Sequence, residues 1–382
     1  MSDFLRLMES WDGYNPVTGQ AINESAVARL IDLIANKNRM PPHRHEYLMK
    51  EVITTTDFPN LFGVAIDRQM LALYRSAAAD WRRWFKVSRL PNFNTHRRHK
   101  VQGNDNYLPV VEEKGEYLVE PMSDAYYSIA LKKYGRQFDI SWEAIINDSM
   151  GAFENIPQRF ANAVINSLAR SACLTYSSAT GPNALLYGAP IADIDGQNVT
   201  NLGSLPLTIA NLETTLELMT AQTDVLGKPI MVRGVHLVVP PALEFTARQI
   251  LTSTIKSWHY GGDDEAFATA GPMPTTNVVS QYGMQLHVDP WLPIVDTGGY
   301  QGYTWYVFGE PAQGAAVEFA TLTGYEDPEV CMKSSDKVTV AGGPLSPFSG
   351  DFATDNIFYR VRHVYGFTQL DPRFTYAQKA TS

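Results

Sequence analysis

Two histidine clusters carry side chains that bind metals in other proteins. His43 and His45 form one cluster, and His96 and His99 form the other, at spacings that a metal site uses. Both clusters are interleaved with arginine, whose positive charge opposes a bound cation. The sequence therefore favours solvated basic stretches or interface contacts over metal sites at both places.

Acidic residues offer two further candidates. Asp193, Asp195 and Gly196 resemble the start of a calcium loop, but the downstream ligands are missing, so an Asp-Gly turn is the favoured interpretation. The acidic triplet from Asp263 to Glu265 has residue types that coordinate cations or serve as acid and base. It lies in a Gly-rich stretch, where such a triplet is usually solvated.

Motifs with an established catalytic mechanism are missing from the sequence. It contains no phosphate-binding GxxxxGK[ST] loop, no GxGxxG, no GxSxG and no HExxH. Cys173 has no histidine near it in sequence to act as a base, which favours a small core residue over a nucleophile. The sequence thus predicts no catalytic, cofactor-binding or metal-binding residue.

Two blocks of opposite charge stand out instead. A basic block runs from His96 to Lys100, and an acidic block follows within 20 residues. Such blocks on a projecting element can pair between subunits that are arranged head to tail, although two solvated faces remain an alternative. The candidate inter-subunit contact residues are Arg97, Arg98, Lys100, Glu112, Glu113 and Glu116.

The elements that carry these blocks form a predicted β-hairpin. Its strands are predicted at Thr95–Val101 and Tyr126–Ile140, joined by a polar tip rich in Gly, Asn and Pro. Before it, apolar residues at helical spacing predict a helix from Ala65 to Trp84. After it, Phe160 to Ala172 repeat apolar residues every four positions, which predicts one long helix with a break near Pro157.

The rest of the chain divides into segments that differ in their predicted secondary structure. Residues 204–328 alternate predicted helices and strands and contain a long Gly/Asp-rich loop from Ser257 to Thr276. A short amphipathic helix is predicted at Asn23–Ala35, within a segment that has little else to pack on. The first sixty residues therefore suggest an arm that docks on a neighbouring subunit.

Composition excludes several classes of protein. The chain has 382 residues and a net charge of −9, which argues against a free-standing nucleic-acid binder. Its two cysteines are too few for a disulfide framework, and it has neither a signal peptide pattern nor an apolar run long enough to span a membrane. Only 19% of residues are charged, which leaves surface for contacts between subunits.

The stretch from Lys133 to Ala163, KYGRQFDISWEAIINDSMGAFENIPQRFANA, resembles the Mu-like prophage major head subunit family of the Hong Kong 97-type capsid class. GVHLVVPPALEFTARQIL from Gly234, WYVFGEP from Trp305 and RVRHVYGFTQLDPRF from Arg360 agree in order. The resemblance implies an α+β fold with an N-terminal arm (1–60), a helix leading into the loop (61–93) and an extended hairpin loop (94–140). It also implies a peripheral domain with a long spine helix (141–203 and 329–382) and an inserted axial domain (204–328).

The resemblance also implies a function. It predicts a major capsid protein, not an enzyme, that self-assembles into hexamers and pentamers of a virion shell around double-stranded DNA. Assembly is expected in the bacterial host cytoplasm, with portal, scaffolding and decoration proteins as candidate partners, DNA as a non-specific neighbour and no membrane partner. The alternatives are an encapsulin-like compartment shell and an enzyme with its site at the Asp263 loop.

Overall fold

The computed structural model describes only part of the chain, and the N-terminal arm, most of the hairpin tip and the middle of the Ser257–Thr276 loop lie outside that part. The described residues are 70–75, 79–102, 110–111, 113, 123–141, 156–224, 227–258, 273–333, 335–338, 340 and 350–380. They belong to two compact units. The first unit takes residues from 1–78, 133–165 and 327–363, and the second from 79–132, 166–326 and 364–382.

The described elements mix helices and strands. The α-helices are α1 (Ile156–Tyr176), α2 (Ile209–Thr220), α3 (Glu244–Thr252) and α4 (Leu292–Val295), and residues 70–75 are also helical. Short 3-10 turns lie at Asp80–Arg83, Pro241–Leu243, Val279–Gln281 and Pro372–Phe374. The strands are β1 (Lys86–Leu90), β2 (His96–Gln102), β3 (Ser123–Ile129), β4 (Lys132–Ile140), β5 (Ser177–Ser178), β6 (Gly181–Pro182), β7 (Ile191–Ala192), β8 (Asn198–Val199), β9 (Leu202–Gly203), β10 (Gly234–Val239), β11 (Ile255–Trp258), β12 (Met273–Thr276), β13 (Gln285–Val288), β14 (Trp305–Gly309), β15 (Val317–Leu322), β16 (Glu329–Met332), β17 (Ile357–Gln369) and β18 (Thr375–Gln378). The predicted α+β fold class is confirmed.

The core of the second unit is a mixed sheet with strand order β13-β10-β14-β18-β9. β14 is buried at every position, as its uninterrupted apolar sequence WYVFG requires. Thr208 caps the N-terminus of α2, because its hydroxyl accepts the Asn211 N–H. Leu212, Leu216 and Met219 of α2 pack on the sheet. A helical face predicted from three-to-four spacing therefore covers a fully buried strand.

A second group of strands in this unit is held by aromatic side chains. β1 pairs in parallel with β15, and β15 pairs antiparallel with Tyr365–Gln369 of β17. The ring of Trp81 meets those of Phe85, Phe319 and Phe367 at centroid distances of 5.0–5.5 Å. This aromatic cluster fixes the segment that leads into the hairpin.

The hairpin itself consists of β2 and β3. The two strands pair antiparallel over seven positions, from His96 opposite Ile129 to Gln102 opposite Ser123. The predicted second strand, Tyr126–Ile140, is in fact two strands, because the chain leaves the ladder at Ala130 and Leu131 before β4 begins. Leu131 is buried in an apolar cluster with Leu90, Ile129 and Val364, which accounts for the break.

In the first unit, β4 pairs with β17, and β16 pairs antiparallel with β17 from Glu329 opposite Arg362 to Met332 opposite Tyr359. Ion pairs lie along its surface, such as Lys333 with Asp351 at 3.1 Å. α1 begins in this unit and continues into the second, and its predicted face of Phe160, Val164, Leu168 and Ala172 is buried.

One further prediction differs from the structure. The helix predicted from Ala65 to Trp84 is helical at 70–75 but is a 3-10 turn at Asp80–Arg83, followed by β1. Aromatic residues three to four positions apart lie on one face of an α-helix and of a 3-10 turn alike. The spacing therefore could not distinguish an α-helix from a 3-10 turn at Asp80–Arg83. The sheet of the predicted axial region, 204–328, also includes β9 and β18 from outside that range. The domain boundaries stay a prediction.

Candidate functional site

The β2–β3 hairpin has two chemically different faces. Side chains alternate along a strand, so Arg97 and His99 lie on one face and Arg98 and Lys100 on the other. Exposure follows the same alternation in β3, where Tyr126 is exposed and Tyr127 is half-buried. We call the half-buried face the inner face and the exposed one the outer face.

Arg98 holds the inner face to β15. Its Nε and Nη2 atoms lie 3.0 and 2.6 Å from Oε1 of Glu318, whose side chain is 0% exposed. The Ser88 hydroxyl of β1 donates to the same oxygen at 2.5 Å. A buried carboxylate destabilises a fold unless such partners compensate its charge. The buried Glu318 carboxylate therefore depends on the Arg98 guanidinium.

Lys100 holds the inner face at a second place. Its Nζ atom lies 2.5 Å from Asp371, 3.0 Å from Asp193 and 3.2 Å from Asp195. The Tyr127 hydroxyl, on the same face, donates to Asp193 at 2.6 Å. One ammonium group therefore contacts three carboxylates that come from two distant parts of the chain.

Arg373 completes this group of charges, and its side chain is 1% exposed. Its guanidinium donates to Asp193 at 2.7 Å, to Asp195 at 2.8 Å and to Gln197 at 2.6 Å, and its Nε donates to the Thr223 carbonyl at 3.1 Å. We call Lys100, Asp193, Asp195, Asp371 and Arg373 the anchor network. Three carboxylates and two cations nearly neutralise one another within it.

Local turns place the acidic members. The Asp193 carbonyl accepts the Gly196 N–H at 2.9 Å, and the Asp195 side chain accepts the Gln197 N–H at 3.0 Å. Gly196 has a φ of +80°, a conformation that glycine adopts without strain. The predicted Asp-Gly turn is thus confirmed, and it holds two carboxylates inside the unit where Arg373 and Lys100 meet them.

The electrostatics of the anchor network favour permanent charges. Burial alone would raise the pKa of Asp195, but the Gln197 N–H and the Arg373 guanidinium outweigh it and lower the pKa. Burial alone would lower the pKa of Lys100, but Asp371 and Asp193 raise it above its usual value. Asp195 and Lys100 therefore stay charged near neutral pH, which suits them to holding the hairpin.

The outer face of the hairpin carries exposed aromatic and charged side chains. The Arg97 guanidinium lies 4.3 Å from the ring centroid of Tyr126, a cation–π contact, and His99 lies 2.8 Å from Asp124. Tyr126 is 46% exposed although it is a large aromatic residue. These contacts stay within the hairpin and leave an aromatic and charged surface facing solvent.

The predicted contact residues fall into three groups. Arg97 is exposed on the outer face, and Glu113 is exposed in a turn. Arg98 and Lys100 have carboxylate partners in their own chain. The hypothesis that the basic and acidic blocks pair between subunits did not anticipate this. Glu112 and Glu116 lie outside the described residues. That any of the six contacts another subunit stays a prediction.

The other candidates for chemistry do not assemble a site in the described part of the chain. His96 contacts Asn92 at 2.9 Å, and Cys173 is fully buried, as expected of a core residue. His43, His45 and the Asp263–Glu265 triplet lie outside the described residues. Among those described, no group of three or more His, Cys, Asp or Glu side chains could hold a metal ion, and no helix is long and apolar enough to cross a membrane.

Comparison with known proteins decides the family. A family model described as "Phage capsid protein" matches residues 126–378, about two thirds of the 382 residues. The chain belongs to the phage capsid protein family. The predicted function of a major capsid protein is confirmed: the protein associates with copies of itself to form the shell of a virion. Whether this capsid protein belongs to the Mu-like subfamily stays a prediction.

The chain is also similar, at low identity, to solved structures from phages. The capsid structure of cyanophage P-SCSP1u is 13% identical, with a TM-score of 0.46 over 78% of this chain and 87% of that one. The mature capsid of bacteriophage PhiM1 is 10% identical, with a TM-score of 0.49 over 80% and 88%. A chain from Mycobacterium phage Bobi is 10% identical, with a TM-score of 0.47 over 80% and 93%. No curated protein matches this capsid protein.

Proposed function

We propose that this capsid protein assembles into hexamers and pentamers, with the extended hairpin as the main element that binds the neighbouring subunit. The two-faced hairpin is the observation that carries the proposal. Its inner face is held to its own subunit by Arg98 and the anchor network, and its outer face displays Tyr126 and Arg97 to solvent. A strand pair that is fixed on one face, and whose other face is exposed among the described residues, is suited to a second partner.

The charges of the outer face favour a second copy of the same chain as that partner. Arg97 is the arginine of the basic block that has no carboxylate partner in the described part of the chain, and Glu113 is an exposed acid near the tip. A closed ring of identical subunits repeats one such pairing at every interface. Each exposed pair contributes only about 0.2–1 kcal/mol, so the repetition makes it effective.

We also infer what the shell encloses. Double-stranded DNA is the expected content, as a non-specific neighbour, because the net charge of −9 opposes tight binding of phosphates. Assembly in the host cytoplasm and contacts with portal, scaffolding and decoration proteins belong to the same proposal. A catalytic role is not expected, since the family is one of capsid proteins. The encapsulin-like alternative is not favoured by that match.

The first prediction is that the purified full-length chain forms shells or capsomer rings. Negative-stain electron microscopy and light scattering across a range of protein concentrations would measure this directly. Hexameric and pentameric rings, or closed shells made from them, are the expected result. A chain that stays monomeric at every concentration, also in the presence of its phage's other head proteins, would contradict the proposal.

The second prediction concerns pairing of charges across subunits. Arg97→Glu and Glu113→Lys should each reduce shell yield several-fold at low salt, because each places like charges opposite one another. The double variant should recover most of the yield, since it restores opposite charges. Arg170→Glu, which reverses an exposed arginine on α1, is the matched control and should assemble normally. A double variant as poor as the sum of the two single variants would show that these residues do not meet.

A further inference from the structure

Two buried histidines contact each other at the edge of the central sheet of the second unit. His236 on β10 and His287 on β13 are 3% and 2% exposed. Their Nδ1 and Nε2 atoms, respectively, lie 3.0 Å apart, which is a hydrogen bond between two imidazole rings. The two remaining ring nitrogens, His236 Nε2 and His287 Nδ1, are buried and have no partner within hydrogen-bond distance among the described residues.

A carboxylate stands just beyond each of those two nitrogens. Asp80 lies 3.5 Å from His287 Nδ1, and Glu310 lies 3.8 Å from His236 Nε2. Both carboxylates are about half exposed. The order of groups is therefore carboxylate, imidazole, imidazole, carboxylate, with contact in the middle and a small gap at each end.

With both imidazole rings neutral, the arrangement lacks one hydrogen. A neutral imidazole carries one N–H, and the bond between the rings uses one of the two that the pair holds. One outer nitrogen then carries a hydrogen, while the other presents a lone pair to a carboxylate, which is repulsive. One added proton makes both outer nitrogens donors. A second added proton would place two N–H groups and two positive charges 3.0 Å apart, which the site cannot hold.

We propose that His236 and His287 form a proton-binding site that takes up one proton and no more, and that this proton draws Asp80 and Glu310 onto the pair. Asp80 belongs to the 3-10 turn that precedes β1 and the hairpin, and Glu310 directly follows β14. Proton uptake thus acts on the segment that leads into the hairpin. The inference does not depend on which surface the hairpin binds.

The other charged groups around the pair act in known directions. Arg83, on the same 3-10 turn, pairs with Asp80 at 3.4 Å and opposes a positive charge on either histidine. The Trp84 ring lies 4.8 Å from the His287 ring, and Phe308 of β14 is opposite His236. Asp289, two residues beyond His287, is occupied by the Tyr176 hydroxyl and the Trp291 N–H. Among the described residues, Asp80 and Glu310 are thus the carboxylates placed to receive the new donors.

The pKa values place proton uptake below the usual histidine range. Burial, together with the charges of His287 and Arg83, lowers the pKa of His236 to about 4. Burial also lowers the pKa of His287, against the attraction of Asp80. The folded chain thus binds the proton more weakly than the unfolded chain. Stability from the neutral pair is complete above about pH 6.5 and is lost as the pH falls toward 4.

Histidine hydrogen–deuterium exchange at the ring C2 position, read by mass spectrometry on the full-length chain, tests the proposal. It reports a separate titration for each histidine in subunits or in shells. His236 and His287 should titrate together, with one midpoint below about 6.5 and one proton for the pair. Asp80→Asn, a change at a half-exposed position that should spare the fold, should lower that midpoint by about half a unit or more.

Two variants complete the test. His287→Gln should remove the shared titration and flatten the loss of thermal stability between pH 7 and 5. Glu244→Gln, which removes a half-buried carboxylate on α3 that pairs with Arg248, is the control and should leave the midpoint unchanged. Independent midpoints near 6.5 for the two histidines would overturn the proposal. So would a shared midpoint that neither Asp80→Asn nor Glu310→Gln moves.

Discussion

Arg373→Met is expected to lower the free energy of unfolding by about 3–5 kcal/mol, the range found when one partner of a buried ion pair is removed. Methionine fills similar volume but leaves the Lys100 ammonium as the one cation that contacts Asp193, Asp195 and Asp371 among the described residues. The Gln197 side chain and the Thr223 carbonyl lose their donor as well. Urea denaturation followed by tryptophan fluorescence would measure the change in the full-length chain.

Controls separate the charge from the volume of the side chain. Arg170→Met removes an exposed arginine and should cost less than about 0.5 kcal/mol. Adding Asp193→Asn and Asp195→Asn to Arg373→Met should recover part of the loss, because fewer uncompensated charges remain. If Arg373→Met does not fold, the triple variant still tests the idea. Equal stability of Arg373→Met and Arg170→Met would mean that the anchor network does not hold the unit together.

Arg98→Met should cost about 3 kcal/mol, because it leaves the fully buried Glu318 carboxylate with the Ser88 hydroxyl as its remaining described partner. Glu318→Gln in the same background should restore much of the loss, since a neutral amide needs no cation. The same denaturation experiment measures both variants, and the double-mutant cycle isolates the pair. Shell yield should fall with Arg98→Met, because the hairpin loses one of the contacts that hold its inner face.

Arg89→Met is the matched control for this second experiment. Arg89 lies on the neighbouring strand β1 and forms an ion pair with Glu326 at 3.3 Å, but its side chain is exposed. Exposed pairs contribute about 0–1 kcal/mol, so this variant should fold and assemble almost as the wild type does. A loss in Arg98→Met no larger than that in Arg89→Met would show that Glu318 finds another partner.

The sequence was sufficient to predict elements whose periodicity is local. The strand at Thr95–Val101 is found at His96–Gln102, one residue later, and the apolar face of α1 is buried as its four-residue repeat predicts. The sheet that joins β14 to β18 was not predictable in the same way. Its partner strands are about seventy residues apart, and no local pattern indicates which strands pair.

The candidate site was predicted only in part, for an identifiable reason. The run from His96 to Lys100 was treated as one basic block, although alternation along a strand puts Arg98 and Lys100 on one face and Arg97 and His99 on the other. That signal was present in the sequence. The sequence contained no comparable signal for the partners Glu318, Asp371 and Arg373. It does not show which acidic or basic residues are buried in the fold.

The separation between Lys100 and its partners has a consequence for the order of events during synthesis. β2 and β3 lie close in sequence and can pair soon after both have left the ribosome, but Asp371 follows Lys100 by 271 residues. At about 5–20 residues per second, that interval is roughly 15–50 s. During it the hairpin can form while Lys100 still lacks its Asp371 partner. We therefore expect the hairpin to be fully held only once nearly all of the second unit has been made.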